Sequence, residues 1–192
     1  TLSYMLARAL NKSEITSLWV CILTGFGTIV WYLASSGSAW YLGQITAFFF
    51  VMAALVESQK KKRAFLVGIF VGCAYLARLQ TILALPFFLF VLGVKDKKLQ
   101  ITKIIKILIP VFIFVSLNAL YNLLRFGSLF DKAYVLIPGV LDEPWYSRGL
   151  FHPGYIPRHL KTLFWSFPRV HTKFPYFSPS WGGLAIWITT PA

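Results

Sequence analysis

Charge is what this sequence has least of. Asp, Glu, Lys and Arg make up 13% of its 192 residues, about half the share usual in a soluble protein. From residue 15 to residue 56 there is no charged side chain at all. Hydrophobic residues make up 57% and the mean hydropathy is +0.67. That surplus must face lipid, so the composition reads as an integral membrane protein and excludes a soluble domain. Cysteine is nearly absent too. Cys21 and Cys73 both lie inside apolar runs, which offers no disulfide framework and no metal spacing and leaves them as small hydrophobes. There is no P-loop, no dinucleotide glycine fingerprint, no Gly-x-Ser-x-Gly and no His-Glu-x-x-His, so the chemistries those motifs carry are not indicated. No repeat or low-complexity segment appears. The chain shows no initiating Met and no signal-peptide cleavage pattern. Its last residues, Trp-Ile-Thr-Thr-Pro-Ala, stop inside a new apolar run. The expectation is a piece of a longer multi-span protein.

What charge there is leans one way: nineteen Lys and Arg against six Asp and Glu, a net charge of +13. The basic residues are scattered between apolar runs, which argues against nucleic acid as partner. They do organise residues 60–98. Lys60-Lys61-Lys62-Arg63 opens that stretch and Lys95-Asp96-Lys97-Lys98 closes it, with Arg78 the one charge between. The apolar span from 64 to 94 is long for one helix, since about 20 residues cross a bilayer. A single crossing would also set the two basic blocks on opposite sides, against the positive-inside bias. Two short arms, 64–77 and 79–94, keep both blocks cytoplasmic and lift Arg78 to the outer tip of a hairpin. At 1.5 Å per residue each arm is roughly 21–24 Å long, so the tip sits below the outer headgroups. An arginine there requires an anionic partner or a water-filled cavity.

The rest of the chain follows from that hairpin. Residues 1–14 look amphipathic, with Leu2, Met5, Leu6, Ala9 and Leu10 at helical spacing, as an interfacial helix or the end of an earlier span. Residues 15–34 go outward and 40–56 return, broken by Ser35-Ser36-Gly37-Ser38 and flanked by Trp31, Tyr32, Trp40 and Tyr41, the aromatic signature of an interface. Pro86 lies deep in the second arm, where a membrane helix tolerates it. Residues 101–120 make a further outward crossing. The expected fold is therefore all-α: a polytopic transmembrane bundle of about five spans with a short central hairpin, covering residues 1–125. Eleven basic residues then fall on cytoplasmic segments (Arg8, Lys12, Lys60 to Arg63, Lys95, Lys97, Lys98, Lys103 and Lys106), as topology and anionic lipid require. Residues 126–180, rich in proline, glycine and aromatics, form an irregular extracytoplasmic loop region, and 181–192 begin the next, inward crossing. The segment from Arg125 to Lys173 carries seven basic residues against Asp131, Asp142 and Glu143, an outside positive excess the topology rule does not call for. Within it, 161–165 reads as a short surface helix with Leu160, Leu163, Phe164 and Trp165 facing lipid.

Several residues invite a chemical reading and an ordinary one together. Arg78 is either a snorkelling cation or a clamp for a phosphate or pyrophosphate, whose oxygens the guanidinium fork matches. Asn118, Asn122 and Arg125 share a helix face at i, i+4, i+7 spacing, either as ligand groups or as interfacial polarity ahead of a cap at Gly127. His152 and His159 are separated by Pro153 and Pro157, so they make no helical ligand pair; loop packing is the simpler reading. Asp131, Asp142 and Glu143 are external carboxylates that stand ready as ion-pair partners for Arg125, Lys132 and Arg148. Trp145, Tyr146 and Tyr155 suit either sugar stacking or interfacial anchoring.

The order of these features resembles a known family. A basic linker, then Ala64-Phe-Leu-Val-Gly-Ile-Phe-Val-Gly-Cys-Ala-Tyr-Leu-Ala-Arg78, then an apolar arm with Pro86, is similar to the glycine-rich helix, arginine and proline stretch of GT-C membrane glycosyltransferases of the protein O-mannosyltransferase and aminoarabinose transferase type. Asn122-Leu-Leu-Arg-Phe-Gly-Ser-Leu-Phe-Asp-Lys-Ala-Tyr134 resembles the Asn…Phe-Gly-Ser…Tyr segment after a later span in bacterial members. Ser178-Pro-Ser-Trp-Gly-Gly-Leu-Ala-Ile-Trp-Ile-Thr-Thr-Pro191 looks like the re-entry into the next helix. The resemblance implies an inverting transferase in the plasma membrane. It would move a sugar from a polyprenyl-phosphate donor to a glycan, lipid or protein acceptor on the extracytoplasmic side, some members using a divalent metal. The family's general base, an acidic residue, lies in the first external loop, upstream of this stretch, so no catalytic residue carries over. Donor binding carries over to Arg78, Asn122, Arg125 and Tyr134. Two other readings stand beside it: a polysaccharide polymerase or ligase using polyprenyl-pyrophosphate glycans, and a transporter or flippase for lipid-linked saccharides. The transporter reading requires inverted repeats, and no second copy of the hairpin is visible.

Overall fold

A computed structural model of the chain describes residues 1–95, 98–149, 152–180 and 183–190, with only the backbone described for Lys95 and Trp145. The middle of the second basic block, the stacking role considered for Trp145 and both ends of the 181–192 stretch therefore lie outside the described residues. Regular structure is mostly helical, and the chain divides into two compact units: Thr1–Phe26 with Val30–Phe130, and Gly27–Ile29 with Asp131–Ala192.

The first unit is built on helices α1 (Leu2–Ala9), α2 (Glu14–Phe26), α3 (Val30–Ser35), α4 (Ala39–Gln59), α5 (Ala64–Ala77), α6 (Leu85–Gly93) and α7 (Ile101–Phe126). A two-residue ribbon, β1 (Val94–Lys95) with β2 (Lys98–Leu99), joins α6 to α7 through antiparallel pairing of Val94 with Leu99 and Lys95 with Lys98. Two helices, α4 and α7, are long and apolar enough to cross a membrane; α2, α5 and the 79–93 stretch are apolar but shorter. Within the most apolar window of α4 only 22% is buried inside the protein, and of α7 only 17%. Their side chains mostly point away from the molecule, unlike those of a soluble core helix.

Local chemistry explains the ends. The Ser38 hydroxyl accepts from the Trp40 amide at 3.3 Å and starts α4, as a cap side chain should. Between α4 and α5, Lys62 adopts a left-handed φ of 54° and donates its amide to Glu57 O at 2.8 Å. The Glu57 carboxylate then takes both Arg63 Nε and Nη2 at 2.8 Å, a two-point ion pair that fixes the reversal and holds the exposed guanidinium above its ordinary pKa through that hydrogen bond. At the other end α5 stops at Ala77, because Arg78 turns extended (φ −152°, ψ 111°). The Arg78 carbonyl is held by the amide and hydroxyl of Thr81 at 3.0 and 2.8 Å. Gly127 closes α7 in the left-handed conformation (φ 63°), donating its amide to Leu123 O at 2.9 Å, so the glycine cap expected from the sequence is present.

Packing runs through small residues. Val67, Gly68, Val71, Gly72 and Ala74 of α5 are buried. Gly68 lies on Ile107 and Gly72 on Phe114, while Tyr75 meets Asn118, so α5 and α7 run parallel. Gly43 stands beside Ala77 and Arg78 while Glu57 pairs with Arg63, so α4 and α5 are antiparallel. The core is Ala54, Ala64, Val67, Val71, Phe88, Leu92, Ile107 and Val111, and a Gly-x-x-x-Gly stripe at the seam lets two backbones approach closely.

Four expectations need correction. The outward run 15–34 is not one helix: α2 ends at Phe26 and α3 begins at Val30, with Gly25 and Gly27 at the break. The arm 79–94 opens with a six-residue 3-10 turn, Leu79–Ala84, and Pro86 falls in the first turn of α6, where a missing N–H costs nothing. It is Pro110 that sits inside a helix, buried in α7. Finally α1 spans only Leu2–Ala9 and buries Ser3 and Ala7, leaving Met5 and Leu10 exposed. Its small face is inward and its large apolar face outward, the inverse of a soluble amphipathic helix.

In the second unit the stretch expected to be irregular, 126–180, contains α8 (Ile156–Trp165) and a ribbon of β3 (Arg169–Val170) with β4 (Phe177–Ser178), while the four-residue α9 (Ile186–Thr189) falls in the stretch expected to begin the next crossing. Ser166 joins α8 to the segment before α9: its Oγ meets Ser180 Oγ and Gly183 O, both at 2.7 Å, and its carbonyl accepts from the Ala185 amide at 2.8 Å. Trp187 Nε1 donates to Phe164 O at 2.9 Å. Trp165 lies nine residues beyond Ile156, half a turn around the helix. It therefore falls with Lys161 and departs from the lipid-facing set expected for it.

Candidate functional site

Arg78 caps α5 at the end remote from Lys60–Arg63. Its side chain reaches along α4: Nη2 donates to the Trp40 carbonyl at 2.7 Å, and the guanidinium lies 4.4 Å from the Trp40 ring centre. Gly43, one turn further along α4, leaves room beside Arg78 Nε. That Nε is buried and has no acceptor among the described residues. One face of the fork is thus spoken for by Trp40, and one inward donor stays unsatisfied, which is costly for a buried N–H.

On α7 the expected polar face divides. Asn118 donates to Tyr75 Oη at 3.1 Å, three residues before Arg78, which brings the polar ends of α5 and α7 to one level. Asn122 is buried and only loosely engaged, its Nδ2 3.5 Å from Leu129 O. Arg125 stays outside, donating Nη1 to Tyr121 Oη at 2.8 Å and lying 4.9 Å from the Phe126 ring. The structure forms two separate pairs, Arg78 with Trp40 of α4 and Tyr75 with Asn118 of α7. Asn122 and Arg125 occupy successive turns of α7 beyond them, and Tyr134 belongs to the other unit, where it is 40% exposed.

The three external carboxylates do not form the expected ion pairs. Among the described residues the ion pair present is Glu57 with Arg63. Asp131 instead accepts the Ala133 amide at 2.7 Å, because an Asx turn is closer to hand than any cation. Tyr155 is used structurally: its hydroxyl accepts from the Arg148 amide at 2.7 Å and donates to Gly149 O at 3.0 Å. His152 and His159 pack edge-on to its ring and Arg158 lies over it at 5.1 Å. His152 precedes the 3-10 turn Pro153–Tyr155 and accepts the Gly154 amide at 3.0 Å, whereas His159 lies on α8. Among the described residues no three His, Cys, Asp or Glu side chains stand close enough to hold a metal ion.

Sequence reasoning did not find Trp40 as the partner of Arg78 or Tyr75 as that of Asn118. Tyr75 was one helical turn from Arg78 and open to view; Trp40 is thirty-eight residues from Arg78, with no local signal to link them. Compared with known proteins, the chain matches no family model, no curated protein and no solved structure.

Proposed function

We propose that this chain is the donor-binding part of a multi-pass membrane glycosyltransferase of the GT-C kind, with α2–α3, α4, α5, the 79–93 arm and α7 as its crossings and Arg78 on the extracytoplasmic side. The observation that carries the reading is the guanidinium of Arg78, held on Trp40 with a buried Nε that still requires an acceptor. Lys60–Arg63, Lys103 and Lys106 at the opposite end and the outward-facing apolar side chains of α4 and α7 support the topology. In transfer from a polyprenyl-phosphate sugar, the bond from the anomeric carbon to the phosphate oxygen breaks as the acceptor hydroxyl attacks. The leaving phosphate gains charge, and an arginine aimed at it stabilises that charge in the transition state more than in the ground state. Asn122 and Arg125, on the same unit as Arg78, are assigned to the same donor, and the acceptor's proton goes to a base outside this stretch.

The test is transfer from radiolabelled polyprenyl-phosphate sugar in membranes carrying the intact protein, its Arg78→Ala variant or its Arg125→Ala variant at matched abundance. Loss of transfer by at least tenfold in Arg78→Ala, chiefly through weaker donor binding, upholds the assignment. Transfer undiminished in both variants reduces the arginines to topology. No transfer from any lipid-linked donor by the parent removes the enzyme reading and favours transport.

A further inference from the structure

From residue 144 to 190 the chain contains no acid and five Lys or Arg. Within that stretch α8 carries Ile156, Leu160, Leu163 and Phe164 on one stripe, each between 41% and 55% exposed, with Arg158 and Lys161 on the opposite side. Ile156, Leu160 and Leu163 also line, with Leu184 and the polar His159 and Thr162, an open groove of about 460 Å³. An apolar stripe this open, backed by cations and facing no carboxylate anywhere in the segment, has the composition of a helix that lies in a charged lipid surface. The β3–β4 ribbon repeats the pairing: Val170, Phe174 and Phe177 are between 67% and 87% exposed, Val170 next to Arg169 and Phe174 next to Lys173 in the chain.

We propose that α8 docks on an anionic lipid bilayer, its apolar stripe sunk to the level of the acyl chains and Arg158 and Lys161 held at lipid phosphates. The occupant is a bilayer surface, because the groove is shallow and open and because cations flank apolar residues on both α8 and the ribbon. Each cation near such a surface adds to the attraction, and the stripe supplies the non-ionic remainder. Docking would hold the segment against the membrane, where a lipid-linked donor would have to arrive. The inference rests on the membrane reading and not on glycosyl transfer.

The experiment uses the whole chain in a Cys21→Ala, Cys73→Ala background whose circular dichroism matches the parent. It is reconstituted in vesicles of phosphatidylcholine alone or mixed with phosphatidylglycerol, and nitroxides at Leu163→Cys, Lys161→Cys and Phe112→Cys report oxygen against nickel-chelate accessibility. Phe112 on α7 is 71% exposed and serves as the membrane reference. We expect oxygen access to exceed nickel access severalfold at 163 on the mixed vesicles, to be reversed at 161, and to fall by at least half at 163 on phosphatidylcholine or after Arg158→Glu with Lys161→Glu. A label at 163 as wet as that at 161, with 112 immersed, overturns the docking and leaves the membrane reading standing. Equal immersion at 163 on both lipids overturns the anionic selection. A label at 163 hidden from both reagents in detergent as well identifies a protein contact and overturns the proposal. If 112 itself is wet, the membrane reading falls and the docking with it.

Discussion

Replacing Gly68 with alanine tests the closest approach in the fold. A Cβ at Gly68 would sit on the Ile107 carbonyl oxygen, 3.0 Å from Ile107 Cα and 3.1 Å from its carbonyl carbon, where ordinary contact begins at 3.4 Å. The shortfall at Cα is 3.4 − 3.0 = 0.4 Å, and at the oxygen it is larger. All three atoms are backbone, so no rotamer change relieves the clash and α5 must move off α7. A gap of about 0.5–1 Å forfeits a quarter to a half of each contact along the seam, here among Val67, Val71, Ile107 and Val111. Overpacking of that kind costs about 1–3 kcal/mol. Alanine returns up to about 1 kcal/mol through its better helix propensity, leaving a net loss of about 1–2 kcal/mol. Gly72→Ala meets the Phe114 ring instead, a side chain that can swing outward, and loses less. Gly25→Ala has nothing within 4 Å and gains the propensity alone. The assay is unfolding by dodecyl sulfate titration in mixed micelles, followed by circular dichroism. The expected order of midpoints is Gly25→Ala above parent, parent above Gly72→Ala, and Gly68→Ala lowest. If Gly68→Ala unfolds with Gly25→Ala, the two backbones are not in contact at this seam and the packing argument is wrong.

Two further outcomes come from the same titration. Phe88 is fully buried in the core, so Phe88→Ala loses about 3–5 kcal/mol; a loss below that of Gly68→Ala refutes its place there. A double-mutant cycle of Tyr75→Phe with Asn118→Ala reads the hydrogen bond between α5 and α7, for which about 0.6 kcal/mol of coupling is typical inside membranes. Additive losses would mean that the bond is not formed.

How much of this was legible in the sequence depends on how far apart the interacting residues are. The bounds of α5 were readable at both ends because charge marks them: Arg63 before its first residue and Arg78 after its last. Gly127 announced the end of α7 because a left-handed cap is a one-residue signal. The break at 27–29 was hidden, since glycine is common in membrane helices and apolar runs show no period when both faces are apolar. For the same reason the spacing in residues 1–14 picked out a stripe without saying whether lipid or protein lies against it. Pro86 was placed deep in its arm because the 3-10 turn at Leu79–Ala84, which shifts where α6 begins, is set by two hydrogen bonds to the Arg78 carbonyl and is invisible to hydropathy. The site shows the same division. Arg78 stood out as a lone charge in an apolar stretch, whereas its contact with Trp40 depends on how α4 folds back beside α5.

Helix lengths say what kind of arginine this is. α5 has 14 residues, about 21 Å, beside α4 with 21 and α7 with 26, about 31 and 39 Å. Gly43 lies level with Arg78, so α4 continues four residues beyond it to Ala39; Asn118 lies level with Tyr75, so α7 continues eight residues to Phe126. The Arg78 backbone, three residues beyond Tyr75, is therefore recessed by about 6–8 Å below its neighbours' ends, and its guanidinium reaches along α4 to Trp40. A cation needed for topology alone has no reason to be recessed, since a longer α5 would carry it to water without desolvation. Lysine separates the two roles. Arg78→Lys keeps the charge and can snorkel along α4 to the Trp40 carbonyl, but it has no planar fork and no Nε to turn inward. If the arginine only satisfies topology, Arg78→Lys matches the parent in abundance, fold and transfer alike. If it clamps a phosphate, Arg78→Lys matches the parent in abundance and fold, yet its apparent donor affinity falls at least tenfold, toward that of Arg78→Ala.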